Sequence, residues 1–86
     1  ARPAYYAGRW AAKEAVAKAL GTGIGRNCAW TDIRVARDTN GKPEILLSGA
    51  GARTAAERRI GHIHISISHE GRLACATAVA EENDKK

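Results

Sequence analysis

The chain has 86 residues, a formal net charge of +5, and only 5% aromatic residues, with no Phe and no Met. A chain this short forms one domain, and a fold of its size buries only about 60% of the unfolded chain's surface, so the core is thin and oligomerisation would reinforce it. No apolar run reaches about 18 residues and no signal peptide or lipidation motif is visible, which excludes a spanning helix and reads as a soluble, cytoplasmic protein with no membrane association.

The bulky apolar area is expected from Trp10 and Trp30, so that losing either ring should destabilise the fold. Pro3 suits a helix entry, and the spacing of an Ala-, Glu- and Lys-rich stretch predicts a helix over residues 4–20 with Gly21 at its C-cap. At about 100° per residue, Tyr6, Trp10, Ala17 and Leu20 fall on one apolar stripe, and Lys13 sits awkwardly in the middle of it. Glu14 and Lys18 lie together on the flank of that stripe. "GTGIGRNC" then reads as a glycine loop.

In "WTDIRVARD" the parity of Thr31, Ile33 and Val35 predicts a half-buried strand; "TNGKP" is a turn and "EILLS" a short return strand. Ser48 is placed to cap a second helix through "GAGARTAAERRIG", stopped by Gly61. "HIHISISHE" alternates strictly, with Ile63, Ile65 and Ile67 on one face and His62, His64, Ser66 and Ser68 on the other. A connection through Gly71 and Arg72 leads to "LACATAVAEE", where Ala74, Ala76, Ala78 and Ala80 leave room for a helix to pack closely, and "NDKK" reads as a solvated tail. The order implies an α+β fold: antiparallel pairs with helices packed on one side, in a single domain over residues 1–86.

The basic residues are scattered rather than gathered into an arm, which points to acidic partners without naming them; the scarcity of aromatics makes nucleic acid the weaker option. Cys28 and Cys75 lack metal-site spacing and read as reduced structural thiols. Glu14 and Lys18 fit first an ordinary exposed helix ion pair; the spacing also permits a hard oxygen ligand for Mg²⁺ with a cation one turn on to meet a phosphate. "GTGIG" follows a helix rather than a strand and matches neither glycine-rich nucleotide motif, so a C-cap and connection is its ordinary reading. His69 stands on the isoleucine parity at its strand's end, where it can turn toward a cleft and present a donor to phosphate; His62 and His64 lack a third metal ligand and read as surface residues.

Taken together, "RWAAKEAVAKALGTGI", "WTDIRV", "NGKPEILLSG" and "HISISHE…ACATAVAEE" resemble the holo-acyl-carrier-protein synthases, the short trimeric class of phosphopantetheinyl transferases, over residues 5 to 82. The resemblance implies transfer of 4′-phosphopantetheine from coenzyme A to a serine of apo acyl carrier protein, with release of 3′,5′-ADP. It further implies Mg²⁺ on the pyrophosphate, a role in fatty acid biosynthesis, and a homotrimer with sites at subunit interfaces. By position in the motif, Glu14 is implied as the metal ligand and Lys18 as the pyrophosphate contact, the two catalytic residues. Arg9, Gly21, Thr22, Pro43, Ser68 and His69 match stretches that line the coenzyme A site, with His69 near the nucleotide phosphates.

Phosphoryl-type displacement asks mainly for positioning and charge neutralisation, and this sequence holds candidates for both. Members of that class begin with a strand bearing a metal-binding aspartate in a G-x-D context and then a basic helix. The chain as given resembles the C-terminal two-thirds of such an enzyme, so weak Mg²⁺ affinity is expected from Glu14 alone. The Lys13 ammonium is expected near the ligand or an interface carboxylate, its stem beside Trp10. The rival reading is a small basic α+β module that binds nucleic acid or an acidic protein without catalysis, and it leaves S-x-S-H joined to K-E-A-x-x-K unexplained.

Overall fold

A computed structural model describes residues 3–83, with side-chain surroundings from Tyr6 onward. Of the expected tail "NDKK", residues 84–86 lie outside this range. The first helix, α1, spans Pro3–Ala19. It ends in a Schellman turn: Gly21 takes φ 88°, its N–H donates to the Lys18 carbonyl (2.9 Å), and the Thr22 N–H donates to the Ala17 carbonyl (3.2 Å).

The buried face of α1 is the expected stripe only in part, at Ala17 and Leu20. Gly8, Ala12, Val16, Ala17 and Leu20 are buried, whereas Tyr6 and Trp10 are each 58% exposed. Small residues let α1 lie close upon the sheet, and an indole on that face would hold the layers apart. Trp10 instead stacks on Trp30, ring centroids 4.5 Å apart and tilted by 51°. Lys13 stands at the edge of the buried face: its Nζ donates to the Trp30 carbonyl (3.2 Å) and lies 4.9 Å from a Trp30 ring centroid, a cation–π contact rather than the expected carboxylate or ligand.

A single 3₁₀ turn, Trp30–Asp32, precedes strand β1, Ile33–Arg37, so Thr31 belongs to the turn and not to the strand. The cause is Asp32, whose Oδ2 accepts the Ala29 N–H (2.9 Å) and winds the segment up. Strand β2, Pro43–Leu47, pairs antiparallel with β1, placing Ile33 opposite Leu47 and Val35 opposite Ile45. Asp38 closes the connection by accepting the N–H groups of Asn40 (2.8 Å) and Lys42 (2.9 Å) on Oδ1.

Helix α2 spans Gly49–Glu57. Ser48 occupies its N-cap position but makes no side-chain capping bond; Asp32 Oδ2 accepts the Gly51 N–H instead, at 3.0 Å. The helix stops before Gly61 because Arg59 adopts φ 60° and the chain enters strand β3, Ile60–Glu70. Strand β4, Leu73–Glu82, returns antiparallel across the Gly71–Arg72 turn, with Ile63, Ile65 and Ile67 opposite Ala80, Ala78 and Ala76. A register shift between Ile60 and His62 makes a bulge at the start of this ladder.

The strands therefore form two separate two-stranded ladders, β1–β2 and β3–β4, with α1 lying chiefly across β4 and β3. Val16, Ala17, Leu20, Cys28, Ile33 and Ala55 form the core, and Ile45, Leu47, Ile60, Ile63, Ile65 and Ala78 pack against it half-buried. The antiparallel α+β architecture is the expected one. Cys28 is a free, buried thiol whose pKa is pushed up by burial and, secondarily, by the nearby Asp32 carboxylate; Cys75 is free and exposed, so only Cys28 fits the structural role.

Asp32 holds two segments at once, and losing it strands two backbone donors. Asp32→Ala is expected to cost about 2–4 kcal/mol. Asp32→Asn, which keeps an acceptor oxygen, is expected to cost less. Urea unfolding of the two variants checks this, and an Asp32→Ala midpoint equal to that of the parent chain would remove the assignment.

Candidate functional site

The second half of α1 and its terminal turn carry the first group of candidates. Glu14 and Lys18 are both exposed, on the side of the helix turned away from the core. No ion pair joins them, or engages either, among the described residues, so the ordinary pairing is not what holds them there. Just beyond, Gly21 and Thr22 form the Schellman turn, with Thr22 Oγ1 donating to the Gly23 carbonyl (2.7 Å). An unshared carboxylate, an ammonium and a glycine turn thus meet on one open surface, which suits an anionic ligand together with a hard cation.

A second group lies toward the start of α1. The His69 imidazole packs directly on the helix backbone at Gly8: a Cβ on Gly8 would stand 3.0 Å from His69 Cε1 and 3.3 Å from Ile67 Cγ2. Arg9 reaches across to donate from Nη2 to the Val35 carbonyl at 3.2 Å. About 9 Å of helical rise separates Gly8 from Glu14, so the histidine and the Glu14–Lys18 pair can share only a long ligand. Ser68 is adjacent to His69 but on the opposite face of β3, across from Cys75, and the fold does not bring the two side chains to one side.

Pro43 is in a third place. It opens β2 and lines a cavity of about 660 Å³ between the two ladders, together with Lys42, Ile45, Ile60, His62 and His64. None of the other candidates lines this cavity, so the charged candidates sit elsewhere on the surface.

On the outer face of β3 and β4, His62 and His64 are exposed and meet edge to face, with ring centroids 4.3 Å apart. The His64 Nε2 and Glu81 Oε1 share a hydrogen bond of 2.8 Å, which, with the attraction of His64, holds the Glu81 carboxyl below its usual pKa. Among the described residues no group of three His, Cys, Asp or Glu side chains could hold a metal ion. Mg²⁺ needs less from a protein, since one or two carboxylates beside phosphate oxygens and water suffice. Glu14 fits a cation of that kind arriving with its phosphate ligand.

Sequence reasoning missed three contributors. Asp32 acts through bonds to distant backbone. Gly8 could have been suspected, because a glycine inside a strong helix pattern signals a close approach. Arg58, the residue at the C-cap of α2, donates from Nη1 to the Leu20 carbonyl at 2.5 Å and closes the far end of α1.

Two helices lie on antiparallel ladders, and a charged helix flank runs into a glycine turn. Residues 1–78 match the 4′-phosphopantetheinyl transferase superfamily, and the chain belongs to that family. More narrowly, it is 50% identical over 80 residues to the holo-[acyl-carrier-protein] synthase of Edwardsiella ictaluri, covering 93% of this chain and 64% of that protein. The crystal structure of the Neisseria meningitidis holo-[acyl-carrier-protein] synthase superposes with a TM-score of 0.85 at 40% identity, covering 91% of this chain and 62% of that one. That of the Helicobacter pylori enzyme in complex with coenzyme A gives 0.79 at 34% identity, covering 90% and 64%. The chain thus spans just under two-thirds of the length of these relatives. Among the described residues no helix is long and apolar enough to cross a membrane.

Proposed function

We propose that this chain carries the coenzyme A site of a cytoplasmic holo-acyl-carrier-protein synthase. In the reaction, the serine oxygen of apo acyl carrier protein attacks the phosphorus that bears the pantetheine arm. The serine gives up its hydroxyl proton, the bond from that phosphorus to the bridging oxygen breaks, and 3′,5′-ADP leaves with the electron pair. Such a displacement is accelerated by holding the reactants in line and neutralising the pyrophosphate charge.

The observation that carries this reading is the exposed Glu14–Lys18 pair running into the Gly21–Thr22 turn. It is supported by the coenzyme A bound in the related Helicobacter pylori structure. Lys18 puts its ammonium on the pyrophosphate, beside the Gly21–Thr22 turn. Glu14 would hold Mg²⁺, which supplies Lewis-acid neutralisation of the pyrophosphate when bound. Arg9 and His69 would meet the ligand farther along, at the nucleotide phosphates.

The candidates lie on open surface and in three places rather than in one enclosed pocket, which favours a homotrimer whose sites close between subunits. Pro43 and Ser68 would then reach the ligand of a neighbouring copy. The chain is read as a single phosphopantetheinyl transferase domain, acting in fatty acid biosynthesis.

Coenzyme A with Mg²⁺ is expected to raise the melting temperature, because a ligand that binds only the native state stabilises it, by about 2.7 kcal/mol at a hundredfold excess over Kd. Scanning fluorimetry with and without coenzyme A checks this. No shift, together with steeply salt-dependent binding of nucleic acid, would favour the basic binding module instead.

A further inference from the structure

The last carbonyls of a helix have no intrahelical partner, and whatever takes them decides how firmly the end is held. At the end of α1, the Ala17 and Lys18 carbonyls are taken locally by Gly21, Thr22 and Gly23. The Leu20 carbonyl is taken from far along the chain, by the Arg58 guanidinium at the end of α2. Arg58 also fills the space beside Gly21: its Nη1 stands where a Cβ would go, and its Cζ would be 3.5 Å from that Cβ. Gly21, already at φ 88°, is doubly confined. The following glycines have no such neighbour, since a Cβ on Gly23 or Gly25 would meet nothing within 4 Å. Left to itself a glycine-rich segment samples many conformations, and a ligand that needs one of them must bear the ordering entropy.

We propose that Arg58 is a positioning residue for the coenzyme A site: its guanidinium clamps the Leu20 carbonyl and the Gly21–Thr22 turn in the conformation that meets the ligand's phosphates beside Lys18. This rests on the transferase reading above. The clamp joins the end of α2 to the end of α1, so the ligand finds the turn already formed. A cation at a helix C-terminus also opposes the negative end of the helix dipole that would otherwise repel an anion arriving there.

The test uses the full chain with Arg58→Gln and Arg58→Lys. Without ligand, amide exchange at Gly21, Thr22 and Gly23 is expected to speed up about tenfold in Arg58→Gln, with the amides of β3 unchanged. Coenzyme A affinity by calorimetry is expected to fall about tenfold, and KM for coenzyme A to rise by a similar factor, with kcat within about twofold of the parent. Arg58→Lys, which keeps a charged donor, is expected to recover most of both effects. Unchanged coenzyme A affinity in Arg58→Gln overturns the proposal. So does exchange that accelerates throughout the chain while KM stays fixed, since that marks a merely structural bond. A parent chain that binds no coenzyme A, even with exchange at the turn still governed by Arg58, overturns the transferase reading and with it the role given to Arg58.

Discussion

Glu14→Gln is expected to abolish transfer of the phosphopantetheine arm, and Lys18→Ala to lower it at least about a hundredfold, with neither variant losing stability. The reasoning is local. Both side chains are exposed, and neither has a hydrogen bond or ion pair among the described residues, so replacing them removes no contact the fold depends on. Surface changes of that kind shift stability by no more than about 0.5 kcal/mol. Gln keeps the size and helix propensity of Glu but gives up the charge that a hard cation requires. Mass spectrometry of acyl carrier protein after incubation with coenzyme A and Mg²⁺ measures transfer, and thermal melts measure stability. Full activity in both variants would remove Glu14 and Lys18 from the site, and a melt lowered by ten degrees would make them structural residues.

The clearest sequence signals were those in which one backbone period does all the work. The alternation from His62 to His69 determines which side chains face α1, and the observed register opposite Ala74, Ala76, Ala78 and Ala80 follows it. Gly21 stops the first helix where a left-handed residue is needed. The adjacency of Glu14 and Lys18 is a consequence of helical spacing alone. What the sequence could not carry is chosen by distant partners. Thr31 falls outside the strand, and Ser48 loses its capping role, because the Asp32 carboxylate takes backbone donors on both sides of it. Pro43 is carried away to the gap between the ladders, whereas the division of Ser68 and His69 between the faces of β3 follows the alternation itself. Arg58 reaches Leu20 across two strands and a helix, a contact that no local pattern encodes.

The buried face of α1 departs most from the apolar pattern of the sequence, and it yields the sharpest stability test. A stripe of large apolar residues looks like the core side of a helix, yet in an alanine-rich helix the smooth face competes with it, and close packing against the sheet wins. Leu20, 1% exposed, is among the largest fully buried side chains. Leu20→Ala is expected to cost about 3–5 kcal/mol, the lost transfer energy plus the cavity left among Val16, Ile33 and their neighbours. For a domain of this size that lowers Tm by roughly 12 °C or more. Trp10→Ala is expected to cost only about 1–2 kcal/mol, since a half-exposed ring gives up its stacking on Trp30 and some area but opens no cavity. Lys13 keeps its seat on Trp30 in that variant, because its bond is to the Trp30 carbonyl and ring and not to Trp10. Parallel thermal melts of the two variants decide the matter: equal losses would return the tryptophan pair to the centre of the core, and a clearly larger loss in Leu20→Ala leaves that centre with the buried face of α1.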